Sequence, residues 1–195
     1  VGRGPDGLLP EAAAYRIGNG SIGLLFIHGF ADTPRIWYRM ARHLAEDGRF
    51  TCRAMRLPGS AEPAESARRQ SLVRWRTHVA DEVLRLRASH RSVWIVGHSM
   101  GAALALDAAL RTPGIVDGVA LFAPMIKVSP KRSPVLPPAV WFRLAKVVFG
   151  LSPMFESCFS AMGVAVDDPG LTYARDRFIP FAVYDGLFAL IRANR

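Results

Sequence analysis

The chain is poor in the residues that staple a fold or anchor it in a membrane. Only two of its 195 residues are cysteine, Cys52 and Cys158. Two cysteines make no disulfide framework, and they form no metal-ligand spacing with histidine. Free thiols point to a reducing, cytoplasmic setting, although a start at Val1 rather than methionine leaves room for an upstream segment. No apolar run reaches the roughly 18 residues of a membrane span, and no secretory signal is visible. Lysine is scarce: 22 of the 25 basic residues are arginine, against 16 acidic ones, for a net charge of +9. The densest basic group, Arg68, Arg69, Arg74 and Arg76, has only Trp75 as an aromatic neighbour. With no nucleic-acid motif beside it, the surplus reads as a solvated, arginine-biased surface and excludes a nucleic-acid partner. Histidine is missing from the second half, since all five (His28, His43, His78, His90 and His98) fall before residue 99.

What is there is a core. Half of the residues are hydrophobic, enough for one sizeable domain. Residues 1–20 are rich in Gly, Pro and Ala and read as an arm or a weak edge strand. Residues 22–28 are a continuous apolar run, the pattern of a strand buried on both faces. Residues 34–47 show helical spacing through Ile36, Met40 and Leu44. Further strands are predicted at 50–57, 92–97 and 116–123, and further helices at 71–88 and 101–111, with 60–70 as a loop. This alternation predicts an α/β fold, a parallel sheet with helices on both faces. After Pro124 the texture changes. Residues 129–138 hold four prolines, and 139–195 read as mostly helical with no further buried strand. The chain therefore divides into a core at 1–128 and a helical cap or lid at 129–195.

Chemistry concentrates in Gly97-His98-Ser99-Met100-Gly101. The run follows a buried strand and precedes a helix of small residues, among them Ala102, Ala103 and Ala105. A serine in such a sharp turn has its oxygen lifted clear of the backbone, and glycines flank it because side chains there would strike the neighbouring strand and helix. The helix that follows aims its positive end at developing charge. The first strand ends in His28-Gly29-Phe30. Acyl transfer needs backbone N–H donors for the carbonyl oxygen, and this pattern offers those of Phe30 and Met100. His28, Gly29, Gly97, His98 and Gly101 are read as structural support of the site, with His28 and His98 as structural histidines rather than bases. No metal and no organic cofactor is implied.

At this point the chain resembles the carboxylesterase and monoacylglycerol-lipase group of the α/β hydrolases. The resemblance rests on Leu24 to Phe30, Arg56-Leu57-Pro58-Gly59, Trp75 and Gly97 to Gly101, and covers about residues 22–126. It departs after the second strand, where the group often has Gly-His-Gly and this chain has Gly59-Ser60-Ala61. The resemblance implies a serine hydrolase with Ser99 as nucleophile, and an acid and then a histidine after it in the chain. No histidine follows Ser99. Asp107 and Asp117 sit on a helix and at a strand start, and Asp167, Asp168, Asp176 and Asp185 lie in the lid-like stretch. The expectation is a natural polypeptide running on past Arg195 for about 60–100 residues, with the missing core strands, the acid and the base.

Apolar residues of the lid, Met154, Phe155, Phe159, Met162 and Phe178, suit a substrate with an apolar acyl chain, a medium-length acyl ester or a monoacylglycerol; they suit simple packing of the lid equally well. Two other readings stay open: an acyltransferase or peptidase of the same fold, and a non-catalytic ligand-binding module. Contact with a membrane surface through Lys127, Lys131, Arg132, Trp141, Arg143 and Lys146 is the weaker reading beside a lid resting on its core.

Overall fold

In the computed structural model, residues 2–128, 136–148, 154–156 and 175–194 are described. The lid residues Phe159 and Met162, the carboxylates Asp167 and Asp168, and Cys158, Lys131 and Arg132 lie outside them. So do the side chains of Met154 and Phe155.

The sheet has the strand order β1-β3-β2-β4-β5. β2 (Ile22–Ile27), β3 (Phe50–Met55), β4 (Ser92–His98) and β5 (Gly118–Phe122) run parallel. β1 (Tyr15–Ile17), within the expected arm or edge strand, pairs antiparallel with β3, so the sheet is mixed rather than wholly parallel. The apolar run of β2 explains its central place. Leu25 and Ile27 face one core and Leu24 and Phe26 the other, because side chains alternate along a strand.

The smaller core lies under α1 (Tyr38–Glu46) and holds Trp37, Ala41 and Cys52. The larger lies under α3 (Leu72–Arg87) and α4 (Met100–Arg111). Crossovers from β2 run outward to β3 and then back past β2 to β4. A reversal of this kind opens a crevice beyond the carboxyl ends of β2 and β4.

Two stretches differ from their sequence reading. Residues 60–70 are not all loop, because α2 (Ala64–Arg68) forms there and buries Ala67. The lid stretch also contains strand: β6 (Met154–Glu156) pairs antiparallel with β7 (Phe178–Pro180). Three-residue strands are too short for periodicity to register. α5 (Pro138–Val148) keeps Trp141, Leu144 and Val147 exposed. α6 (Phe181–Ala193) instead buries Leu187, Leu190 and Ile191 in the larger core, and Asn194 Nδ2 donates to Ala103 O at 2.9 Å.

Candidate active site

Ser99 links β4 to α4 with φ 54° and ψ −113°, a backbone conformation that residues other than glycine rarely adopt. Its neighbours show why the chain turns there. A Cβ on Gly97 would come 2.5 Å from Gly101 O and 2.6 Å from Ala102 Cα. A Cβ on Gly101 would come 2.2 Å from Ile27 O. Only glycine permits this approach of α4 to β4 and β2. The turn is then pinned by hydrogen bonds. Ser99 N–H donates to Phe122 O at 2.9 Å, and Ser99 O accepts from Ala103 and Met125 N–H at 3.1 Å. Among the described residues no side chain is hydrogen-bonded to Ser99 Oγ. Met100 opens α4, at the positive end of the helix.

The loop after β2 reaches the same place. A Cβ on Gly29 would lie 3.1 Å from His98 Nδ1 and 3.3 Å from Ser99 Cβ, so this loop packs directly on the turn. Phe30 follows. Among the described residues neither the Phe30 nor the Met100 N–H has an intramolecular acceptor. The structure thus brings His28, Gly29, Phe30, Gly97, His98, Ser99, Met100 and Gly101 together at the carboxyl ends of β2 and β4.

His28 is fully buried, and its Nε2 accepts from Leu57 N–H at 3.0 Å. The other ring nitrogen must then carry the proton, which it donates to Gly29 O at 2.9 Å. Burial, helped by the charge of Arg56, holds the ring below its ordinary pKa against the opposing pull of the Asp32 carboxylate. His28 is therefore a neutral brace between two loops, with no nitrogen left for Ser99. His98 Nδ1 is buried and has no hydrogen-bond partner among the described residues.

Each acid after Ser99 whose side chain is described is tied elsewhere. Asp107 takes a two-pronged bond from Arg76, and Asp117 accepts from Ser92, Val93 N–H and Arg87. Asp176 accepts from Arg3 and from Ala61 N–H, and Asp185 pairs with Lys146 at 2.7 Å. None of these bonds involves a histidine. One acid that sequence reasoning passed over sits beside the site: Asp32, buried, faces Arg175 at 3.5 Å. Its place two residues after Phe30 is the only signal in the sequence, and Arg175 gives none.

A cavity of about 650 Å³ opens beside this loop. Leu9, Ala67, Ile179 and Val183 give it apolar walls, while Arg3, Glu62, Arg175 and Asp176 line it with charge. Ser60, where the sequence departs from its group, also lines it beside Gly59. Nearby, the Phe30 ring packs on Tyr184 at 4.9 Å, and Phe142 of α5 packs on Tyr184, Phe181 and Phe188. Among the described residues no three His, Cys, Asp or Glu side chains are grouped to hold a metal ion. No described helix is long and apolar enough to cross a membrane.

The fold has close relatives. Over 108 residues the chain is 30% identical to the thermostable monoacylglycerol lipase of Bacillus sp. (strain H-257), a match covering 55% of this chain and 43% of that enzyme. It thus spans under half of that relative's length. A structure from work on LipS and LipT, two metagenome-derived lipolytic enzymes, superposes with a TM-score of 0.75 at 20% identity, over 96% of this chain and 71% of the other. The monoacylglycerol lipase of Paleococcus ferrophilus gives 0.68 at 19% identity, over 94% and 71%. At such identities these structures speak for the fold. The model of one family matches residues 24–193, nearly the whole chain, and with the turn and sheet order it fixes the assignment: the chain belongs to the alpha/beta hydrolase family.

Proposed function

We propose that this chain carries the nucleophile and the oxyanion donors of a carboxylesterase or lipase that works through an acyl-enzyme on Ser99. Ser99 Oγ attacks the ester carbonyl carbon while a base takes its proton. The Phe30 and Met100 N–H groups hold the oxygen as it becomes negative. The alcohol then leaves with the proton, and water releases the acid from Ser99 by the reverse steps. The base is not His28, whose ring nitrogens are committed to Leu57 and Gly29, and no acid after Ser99 whose side chain is described is bonded to a histidine.

The observation that carries the reading is the backbone of Ser99. A serine held at φ 54°, between two glycines that admit no Cβ, costs stability and has no structural use that glycine would not serve better. The substrate is an ester with an apolar acyl chain, of medium length or a monoacylglycerol. Support comes from the apolar cluster of Phe30, Phe142, Tyr184 and Phe188 beside the site and from the Bacillus relative, named a monoacylglycerol lipase.

A fluorophosphonate probe tests this. In the full-length polypeptide it is expected to label Ser99, with labelling abolished by Ser99→Ala and blocked by a monoacylglycerol substrate. The 195 residues alone are expected to label slowly or not at all, because no histidine follows Ser99 in them to take the proton. A full-length protein that is folded and unlabelled would overturn the proposal.

A further inference from the structure

Phe30 owes its position to a loop braced from two sides. On the strand side His28 holds it, through its bonds to Gly29 O and Leu57 N–H. On the far side stands Asp32. Its side chain is 7% exposed, its Oδ1 accepts from Thr33 N–H at 2.9 Å, and the same oxygen faces Arg175 Nε at 3.5 Å. Thr33 in turn caps the short helical turn that follows, with Oγ1 accepting from Arg35 N–H at 3.3 Å. Between the braces lies Ala31, at φ 52°. An alanine does not stay there unless its surroundings hold it.

The charge on Asp32 explains its partner. A carboxylate this deeply buried is stabilised by a nearby cation, and losing Arg175 weakens that compensation and favours movement of the loop towards water. Arg175 belongs to the segment that leads into β7 and lines the cavity. The pair therefore ties the cavity wall to the loop that carries the Phe30 N–H.

We infer that Asp32 and Arg175 are positioning residues, which together hold the Phe30 N–H in register with Ser99 from the side opposite His28. The inference rests on the proposed role of Phe30 as an oxyanion donor. It concerns when the donor is correctly aimed: with the segment at 175–177 seated, the loop is rigid, and with Arg175 withdrawn it slackens.

The experiment has two arms. In the first, amide hydrogen exchange is followed on wild type, Asp32→Asn, Arg175→Gln and the double variant. Exchange is expected to rise in residues 28–33 alone, with β4 and α4 unchanged, and to rise no further in the double variant. In the second, fluorophosphonate labelling of the full-length polypeptide is resolved into binding and inactivation steps. The inactivation step is expected to fall about tenfold or more, approaching the ~100-fold or greater loss that follows removal of one oxyanion donor, with binding little changed. Unchanged exchange at 28–33, additive effects of the two substitutions, or an inactivation step equal to wild type would each overturn the inference. If wild type itself fails to label, the reading of Ser99 falls instead. The exchange arm, which needs no activity, still decides whether the pair holds the loop.

Discussion

At the scale of single residues, the site is a set of backbone conformations that side chains elsewhere enforce. Ser99 is the clearest case, since a residue in so sparsely populated a region costs about 1–3 kcal/mol. Glycine at the same place would relax. Ser99→Gly is therefore expected to raise Tm, by about 2–4 °C for each kcal/mol recovered in a chain of this size, while abolishing labelling. Calorimetry checks this, and a lower Tm would mean that the turn is unstrained. This part of the molecule was legible in the sequence, because a Gly-X-Ser-X-Gly turn between strand and helix is dictated by sterics. The role of His28 was legible only in kind. That it is structural follows from its place at a strand end, but its partners, Leu57 N–H and Gly29 O, depend on how two loops meet. Asp32 and Arg175 were not legible, because their contact is made by tertiary packing alone.

At the scale of elements, the strands of the main sheet and the helical character of the last stretch were legible, and the short β6–β7 pair and the packing of α6 were not. Runs such as Leu24-Leu25-Phe26-Ile27 have no polar position to put in water, so the sheet is their only stable place. α6 reads as apolar helix whether it lies on a lid or in a core, and only its packing decides. The deciding contact is Gly186 against Trp75 of α3. A Cβ there would lie 2.8 Å from Cζ3 of the indole, whose Nε1–H donates to Pro58 O at 3.0 Å. Gly186→Leu is expected to push the indole out, break that bond and destabilise the chain by about 1–3 kcal/mol or more. Val147→Ser on α5, a residue 82% exposed, is expected to change stability by no more than about 0.5 kcal/mol. Denaturant unfolding of the two variants compares them directly. Equal losses would show that α6 is not part of the core.

At the scale of the whole molecule, stability should depend on pH in two stages. The folded state keeps His28 neutral, with its pKa below the ordinary 6.5. The unfolded chain takes up a proton there as pH falls through 6.5 and the folded one does not, so acid begins to favour unfolding. A second stage follows near 4.5. Burial alone would raise Glu82, but the two hydrogen bonds and charge of Arg53, with Arg85, outweigh it and hold the carboxylate low. Its contribution is present above 4.5 and lost as pH falls further. Asp176 opposes this trend, because burial raises its carboxyl despite Ala61 N–H and Arg3. Tm measured against pH should therefore fall below 6.5 and more steeply below 4.5, and His28→Asn should flatten the first stage; an unaltered slope in that variant would rule His28 out as its source. One further feature belongs to the whole sheet. Among the described residues five other than glycine have positive φ, and four of them, Ala31, Ala61, Ser99 and Ala123, follow β2, β3, β4 and β5. The carboxyl rim of the sheet is thus the taut edge of the molecule. For a protein engineer the two rims are separate workplaces, since a substitution at the taut one meets backbone strain that the other lacks among the described residues other than glycine.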